Sequence, residues 1–370
     1  MVKIAYQLFC FYLRDIKKEV QTMLNYSEIN IQDVIVHHIG SKPDEEGVQL
    51  SNTPMQLNDE RTRELLMRYF LTPFKPGELF HLKHDEDINL NVVYSIASNI
   101  FSDPASFTEQ SVELANHLYA ESTHPKIRTG ELYVVYFNNC FIEGETVDAI
   151  GLFKSESKET FLKVKATGKN FSITYDDGIN VNKLDKGCLI FNMEQDKGFL
   201  LAIVDNINKS AEAQYWRDNF LTVKPRKDEY HQTKSYLDMC KTFVLEQVPK
   251  EFETSKADQA DFLNKSATYF KKNEDFAFDE FANQVIKQPE VIESFKEYKK
   301  NYGTANDMEM EDEFVISSPA VKKQSKVFKS VIKLDKNFHI YVHGTREYIT
   351  KGFDEKTGMH FYQLYFKEEE

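Results

Sequence analysis

Residues 320–346 carry six lysines and one arginine against a single aspartate, in a chain of 370 residues with a formal net charge of −13. That local charge of +6 leaves −19 on the remainder. An acidic chain repels a polyanion at long range, so a phosphate backbone has to be met by a concentrated cationic face. Read as a helix, residues 320–334 gather Lys322, Lys326, Lys329 and Lys333 into a stripe about 60° wide, with Val321, Phe328, Val331 and Ile332 toward the other side. Read as a strand, residues 328–334 put Phe328, Ile332 and Leu334 on one face and Lys329, Val331 and Lys333 on the other. Clustered β-branched and aromatic residues after Val327 favour a short helix, then a hairpin turning at Asp335, Lys336 and Asn337. Either form anchors an apolar side and exposes cations, with Lys323, Lys336 and Arg346 completing the set. An ordinary solvated face has the same pattern. A second basic cluster, Lys224, Arg226 and Lys227 around Pro225, follows Trp216 and Arg217. Asp228 and Glu229 offset its charge, so a turn between helices is the plainer reading.

Covalent and metal chemistry have weaker footing. The phosphate-binding glycine loops, the paired-histidine zinc helix and the serine elbow are all missing from the sequence. Asp176, Asp177 and Gly178 resemble the start of a calcium loop without its later ligands, and a β-turn accounts for them. His37 and His38 are neighbours on an expected strand, so they point to opposite faces and cannot readily share a metal. His339, His343 and His360 could converge across strands, but no carboxylate or cysteine partner accompanies them. No catalytic residue, metal ligand or cofactor is assigned.

The elements that must position these residues follow from periodicity and turn chemistry. Residues 29–39 alternate as a strand ending at Gly40, and residues 48–57 form a second extended run. Asn58 reads as the N-cap of a helix through Phe74; helical patterns recur over 89–101 and 108–122, the latter capped by Thr108. From Glu131 six short β-rich runs follow, with turns at Glu143-Gly144, Asp177-Gly178, Lys186-Gly187 and Lys197-Gly198, as in an antiparallel meander. A helix-rich stretch begins near Ala211, breaks at Pro225 and resumes to about Val248. Further helices are expected over 258–272, 278–287 and 290–302, punctuated by Pro289 and Gly303. An acidic linker over 307–313 then leads to strands, the last two joined by the turn DEKTG.

Composition bounds the rest. Hydrophobic residues make up 41% of the chain and aromatics 13%, enough for sizeable cores and against wholesale disorder. Cys10, Cys140, Cys188 and Cys240 lack paired spacing, which argues against a zinc or disulfide framework and fits a reducing compartment. The apolar run 4–13 is half the length of a bilayer span, and no small-residue cleavage pattern follows it. Met23 is an alternative start, which would make the opening residues an upstream extension.

Several stretches together resemble the bacterial 37-kDa nucleoid-associated protein family. They are INIQDVIVHHIG, GELYVVYFNNCFI, AQYWRDNFLTVKPRKDEYHQTKSYLDMCKTFV and SSPAVKKQSKVFKSVIKLDKNFHIYVHG with the hairpin after it. The likeness runs from about Ile29 to Phe366 and is closest to the Bacteroidetes-type branch. It implies a cytoplasmic, nucleoid-associated, DNA-binding protein without an enzymatic role. It carries over no contact residues, so the candidate sites rest on charge.

The expectation is an α+β protein: an extension over 1–28, an N-terminal antiparallel sheet with helices over 29–250, and a helical C-terminal domain over 251–370 ending in β-hairpins. Its partner is double-stranded DNA, met at phosphate by Lys322, Lys323, Lys326, Lys329, Lys333, Lys336 and Arg346, with Lys224, Arg226 and Lys227 as secondary candidates. The alternative is an acidic adaptor that reaches the nucleoid through a DNA-processing protein. No membrane is implicated, and a homo-oligomer is compatible with a sequence that does not set the oligomeric state.

Overall fold

The computed structural model describes residues 28–207, 215–324, 331–335, 337–342 and 348–368. They divide into two units, one ending at Arg226 and the other starting at Lys227. The division thus falls before the first helix of the C-terminal unit, ahead of the boundary near residue 250 expected from sequence. The N-terminal extension lies almost wholly outside the described residues.

Alternation makes strand β1, Asn30–Ile39, and its register against β4, Gly130–Ile142, starts the main sheet of the first unit. The eight strands run in the order β10-β3-β9-β8-β5-β4-β1-β2, with every adjacent pair antiparallel. The others are β2 (Val48–Gln49), β3 (Leu79–Leu82), β5 (Glu145–Ser155), β8 (Lys186–Phe191), β9 (Leu200–Asp205) and β10 (Val223–Pro225). Glu143 and Gly144 both have positive φ and form the β4–β5 turn, as their sequence predicted. On one face, helix α1 (Glu60–Leu71) sets Tyr69 and Phe70 against Val135, Phe137 and Phe153, with the Phe70 and Phe153 rings stacked at 4.3 Å. On the other, α2 (Val92–Ser102) and α3 (Phe107–Glu121) cover Leu132, Val134, Ile150 and Leu152. The central strands are therefore buried on both sides.

Several expected boundaries move for local reasons. Asp59, not Asn58, caps α1, accepting from the Thr62 N–H at 2.7 Å, and Asn91 caps α2. A turn at Pro104–Ser106 starts α3 earlier, which places Thr108 inside it. The run after Gly40 pairs only at Val48 and Gln49. Lys186 and Gly187 lie within β8, and Val223–Pro225 is an edge strand on β3, where proline's missing N–H costs no sheet bond. Asp177 and Gly178 end strand β7 (Asn170–Gly178) and form no turn. That strand and β6 (Glu159–Thr167) leave the meander altogether, because β5 pairs directly with β8. They form a separate two-stranded arm, closed by Gly168-Lys169 with Gly168 at φ +65°. A glycine in the first position of a two-residue loop suits the twist of such a ribbon.

The arm leaves the sheet beside a buried polar cluster. Lys154 and Lys186 are cross-strand partners on β5 and β8, and both are 0% exposed. Lys154 donates to the Arg128 carbonyl (2.7 Å), Glu156 (3.1 Å) and Tyr215 (3.1 Å); Lys186 forks onto Asp205 at 2.9 and 3.0 Å. Burial lowers the Lys154 ammonium below its ordinary value, opposed by Glu156. Asp185 accepts the backbone N–H groups of Glu156 and Ser157 at 2.6 and 2.8 Å, which pins the chain where the arm begins.

In the second unit, α4 (Glu229–Thr242) continues through a π-turn and α5 (Val248–Glu251) before α6, Lys256–Lys272. Ser255 and Asp258 form a reciprocal capping box at the start of α6. Strands β11 (Asp275–Ala277) and β12 (Glu313–Val315) pair around α7 (Phe278–Phe281) and α8 (Pro289–Ala305). The core is aromatic, with Phe270, Phe276 and Phe314 stacked in sequence and Phe243, Phe281 and Phe295 around them. Pro289 opens α8, but Gly303 does not end it; an added Cβ there would sit 2.8 Å from the Met308 carbonyl oxygen. The acidic stretch 307–313 is no linker. Met308 and Met310 are buried, while the carbonyls of Glu309 and Glu311 accept from Gln232 (2.8 Å) and Tyr236 (2.5 Å). Last come α9 (Ser318–Gln324) and the hairpins β13–β14 (Val331–Leu334, Phe338–Tyr341) and β15–β16 (Ile349–Asp354, Met359–Leu364), the latter closed by the expected turn. The observed class is α+β.

Two stability outcomes follow. Lys154→Ala strands Glu156 and the Arg128 carbonyl in a dry site and should cost about 3–5 kcal/mol in denaturant unfolding. His37 is buried, accepts from the Ser51 N–H at 3.2 Å and donates Nε2–H to Ser111 at 3.0 Å, and burial depresses its pKa. The unfolded chain then takes the proton first, so stability holds above about pH 6.5 and falls below it, by at most about 1.4 kcal/mol per pH unit. Denaturant midpoints taken from pH 7.5 to 5 should show that loss in the wild type and a shallower one in His37→Gln.

Candidate nucleic-acid interface

Helix α6 is the platform for the basic segment. Its Ala257 and Ala260 pack against Ile332, Val342 and Ile349, and Asn264 donates to the Val342 carbonyl at 2.9 Å. Small side chains let the hairpin approach the helix closely, and Ile332 is 1% exposed. The strand parity expected from sequence holds for the described residues: Ile332 faces inward and Lys333 outward. Register pairs Lys333 with His339, and Tyr341 shares their outer face at 58% exposure. His339 and Tyr341 did not stand out as companions of Lys333 in the sequence; the pairing of Leu334 with Phe338 sets the register that joins them.

Upstream, α9 buries Ala320 and Val321 and leaves Lys322 and Lys323 exposed in its last turn. The helix is held by the Ser317 N–H donating to Thr233 at 2.9 Å and by Gln324 donating to Asp238 at 3.3 Å, both on α4. The Lys323 ammonium lies 5.9 Å from the Tyr230 ring centre. Lys326, Lys329, Lys336 and Arg346 fall outside the described residues, as does His343. His339 and His360 sit on separate ribbons, His360 against Phe353, and no group of three metal-ligating side chains forms among the described residues. His37 is buried while His38 is exposed, as strand alternation predicted.

The second basic cluster is split between the units. Lys224 is exposed on the edge strand β10. Arg226 is engaged: its two terminal nitrogens reach both oxygens of Glu143 at 2.6 and 3.0 Å, and one also reaches Glu194 at 2.7 Å. Glu194 in turn contacts His81. Burial works against the Glu194 carboxylate, but His81 and Arg226 prevail and hold it below the usual range. Lys227, at the start of the second unit, donates to the Asp307 carbonyl at 3.0 Å. It lines a groove of about 790 Å³ with Lys296, Lys299 and Lys300 and with Asp279, Asp307 and Glu309. Lys299 is paired with Asp312 and lies 5.0 Å from the Phe278 ring centre.

These surroundings separate two substitutions. Lys224→Gln should leave thermal stability within about 0.5 kcal/mol, whereas Arg226→Gln, which opens a partly buried charged network, should cost about 1.5–3 kcal/mol.

Cys140, Cys188 and Cys240 are buried free thiols. No helix among the described residues is long and apolar enough to cross a membrane. A comparison with curated proteins finds no match. The family model for the nucleoid-associated protein YejK matches residues 35–358, which takes in both units, α6, and the strands that carry the basic segment. The chain belongs to the nucleoid-associated protein family.

Proposed function

We propose that the protein binds duplex DNA directly and without catalysis, through phosphate contacts from the basic segment. The observation that carries this reading is the segregation of charge. Lys322, Lys323 and Lys333 are exposed on elements whose other sides are anchored to α4 and α6, in a chain that is otherwise acidic. Family membership supports a role at the nucleoid. Lys326, Lys329, Lys336 and Arg346 extend the cationic set in sequence, and Tyr341 adds a phenolic donor beside Lys333. Lysines act as point charges that release counterions, so affinity depends on salt and little on sequence. Lys224 and Lys227 are secondary contacts; Arg226 serves the Glu143 and Glu194 pairs first.

A second reading has its own surface. Asp307, Glu309, Glu311, Asp312 and Glu313 are all exposed along a stretch fixed to the second unit's core by Met308, Met310 and Phe314. A basic DNA-processing protein would find complementary charge there, with DNA reached indirectly.

The two separate in one titration. Fluorescence anisotropy with a short random duplex should give a slope of log K against log salt of roughly −4 to −5, as for about five phosphates. Replacing Lys322, Lys326, Lys329 and Lys333 by glutamine should remove most of that slope. Absence of binding at low salt would discard direct contact and leave the adaptor.

A further inference from the structure

The arm β6–β7 has an apolar face that nothing in the described structure covers. Register pairs Leu162 with Tyr175, Val164 with Ile173 and Ala166 with Phe171, so these six side chains share one side of the ribbon. The five large ones are 62–75% exposed: Leu162 70%, Val164 62%, Phe171 75%, Ile173 66% and Tyr175 74%. The opposite side carries Lys163, Lys165, Thr174 and Asp176, with Lys163 paired to Asp176 and Phe161 near the root. A solvated ribbon has no reason to collect five large apolar residues on one side. An isolated two-stranded hairpin is at best marginally stable in water, so this one is built to be covered.

We infer that the arm is a self-association device, in which the apolar faces of two copies stack about a two-fold axis. This goes beyond the DNA-binding reading and does not depend on it. Three observations select a second copy. Between Leu162 and Phe171 the patch holds no charge; its nearest carboxylate, Asp177, lies at the root end and accepts from Thr160, so a phosphate finds no cation on it. It is centred on the Val164–Ile173 pair, so a two-fold axis there, running across the strands, sets the root end of one patch against the tip end of the other and keeps the two Asp177 carboxylates apart. Area is also sufficient. With large aromatic side chains near 150–250 Å² and aliphatic ones somewhat smaller, each arm offers about 600–700 Å² of apolar surface. Two arms then bury roughly 1,200–1,400 Å², within the range of specific interfaces. The root is fixed for the purpose, because Asp185 holds the backbone of Glu156 and Ser157 where the arm leaves β5.

Sedimentation equilibrium of the full chain at tens of micromolar tests this without DNA. The wild type should sediment at twice the chain mass. Val164→Lys/Ile173→Lys should sediment at the chain mass, with self-association weakened at least about a hundredfold by burying unpaired ammonium groups. Both sites are exposed, so its circular dichroism should match the wild type; Phe171→Gln/Tyr175→Gln provides a second, uncharged disruption. Thr174→Lys, on the opposite face, should remain a dimer. A monomeric wild type, or dimers that persist in both double variants, would overturn the inference.

Discussion

Burying both faces of the central sheet leaves no solvent where the end of β5 pairs with the start of β8, and Lys154 and Lys186 are placed there side by side. Two ammonium groups in such a site are tolerable only if every proton finds an acceptor. Glu156, Asp205, Tyr215 and the Arg128 carbonyl supply them, and each residue is thereby fixed in position. The Tyr215 ring centre lies 5.5 and 5.2 Å from the Lys154 and Lys186 ammonium groups, so one side chain faces both lysines. The consequence reaches beyond the cluster. Glu156 and Ser157 begin the arm, and Asp185 begins the return to β8, so satisfying buried charge also sets where the arm leaves the sheet. Burial raises the pKa of Asp185 while the two N–H donors oppose it, the balance expected of a carboxylate retained for its hydrogen bonds.

The second unit solves a different problem: how to show strong positive charge on a chain that is acidic elsewhere. Its acidic stretch is turned outward on a backbone held by Gln232 and Tyr236, and the methionines between the carboxylates enter the core. The basic segment is carried on α9 and β13, over α4 and α6. Each sign therefore has its own backbone support, and neither neutralises the other in sequence. An orderly cationic face follows from anchoring on the apolar side, through Val321 and Ile332, more than from any feature of the lysines themselves.

Much of this was legible in the residues. The alternation of β1, the Glu143-Gly144 turn, the inward Ile332 with outward Lys333, and the final hairpin all follow from period-two patterning and turn chemistry. The acidic stretch was legible too, since Met308 and Met310 alternate with Glu309 and Glu311, but its charge density masked the alternation. Lys154 and Lys186 were not, because a lysine on a strand reads as solvent-facing unless distant partners such as Asp205 and Tyr215 are known. Nor was the arm. Its two runs look like ordinary meander strands, and only the direct pairing of β5 with β8 shows them expelled from the sheet. Of the candidate site, residue types and parity were readable, while the pairing of Lys333 with His339 needed the register, and the engagement of Arg226 needed carboxylates at distant positions.

Where the DNA lies is the central claim, and hydrogen–deuterium exchange of the full chain with and without a random duplex tests it most directly. The account predicts slowed exchange in α9 and β13–β14 at low salt, fading as salt rises, with the main sheet of the first unit unchanged. Protection confined to the first unit, or none under conditions where the duplex is bound, would contradict it.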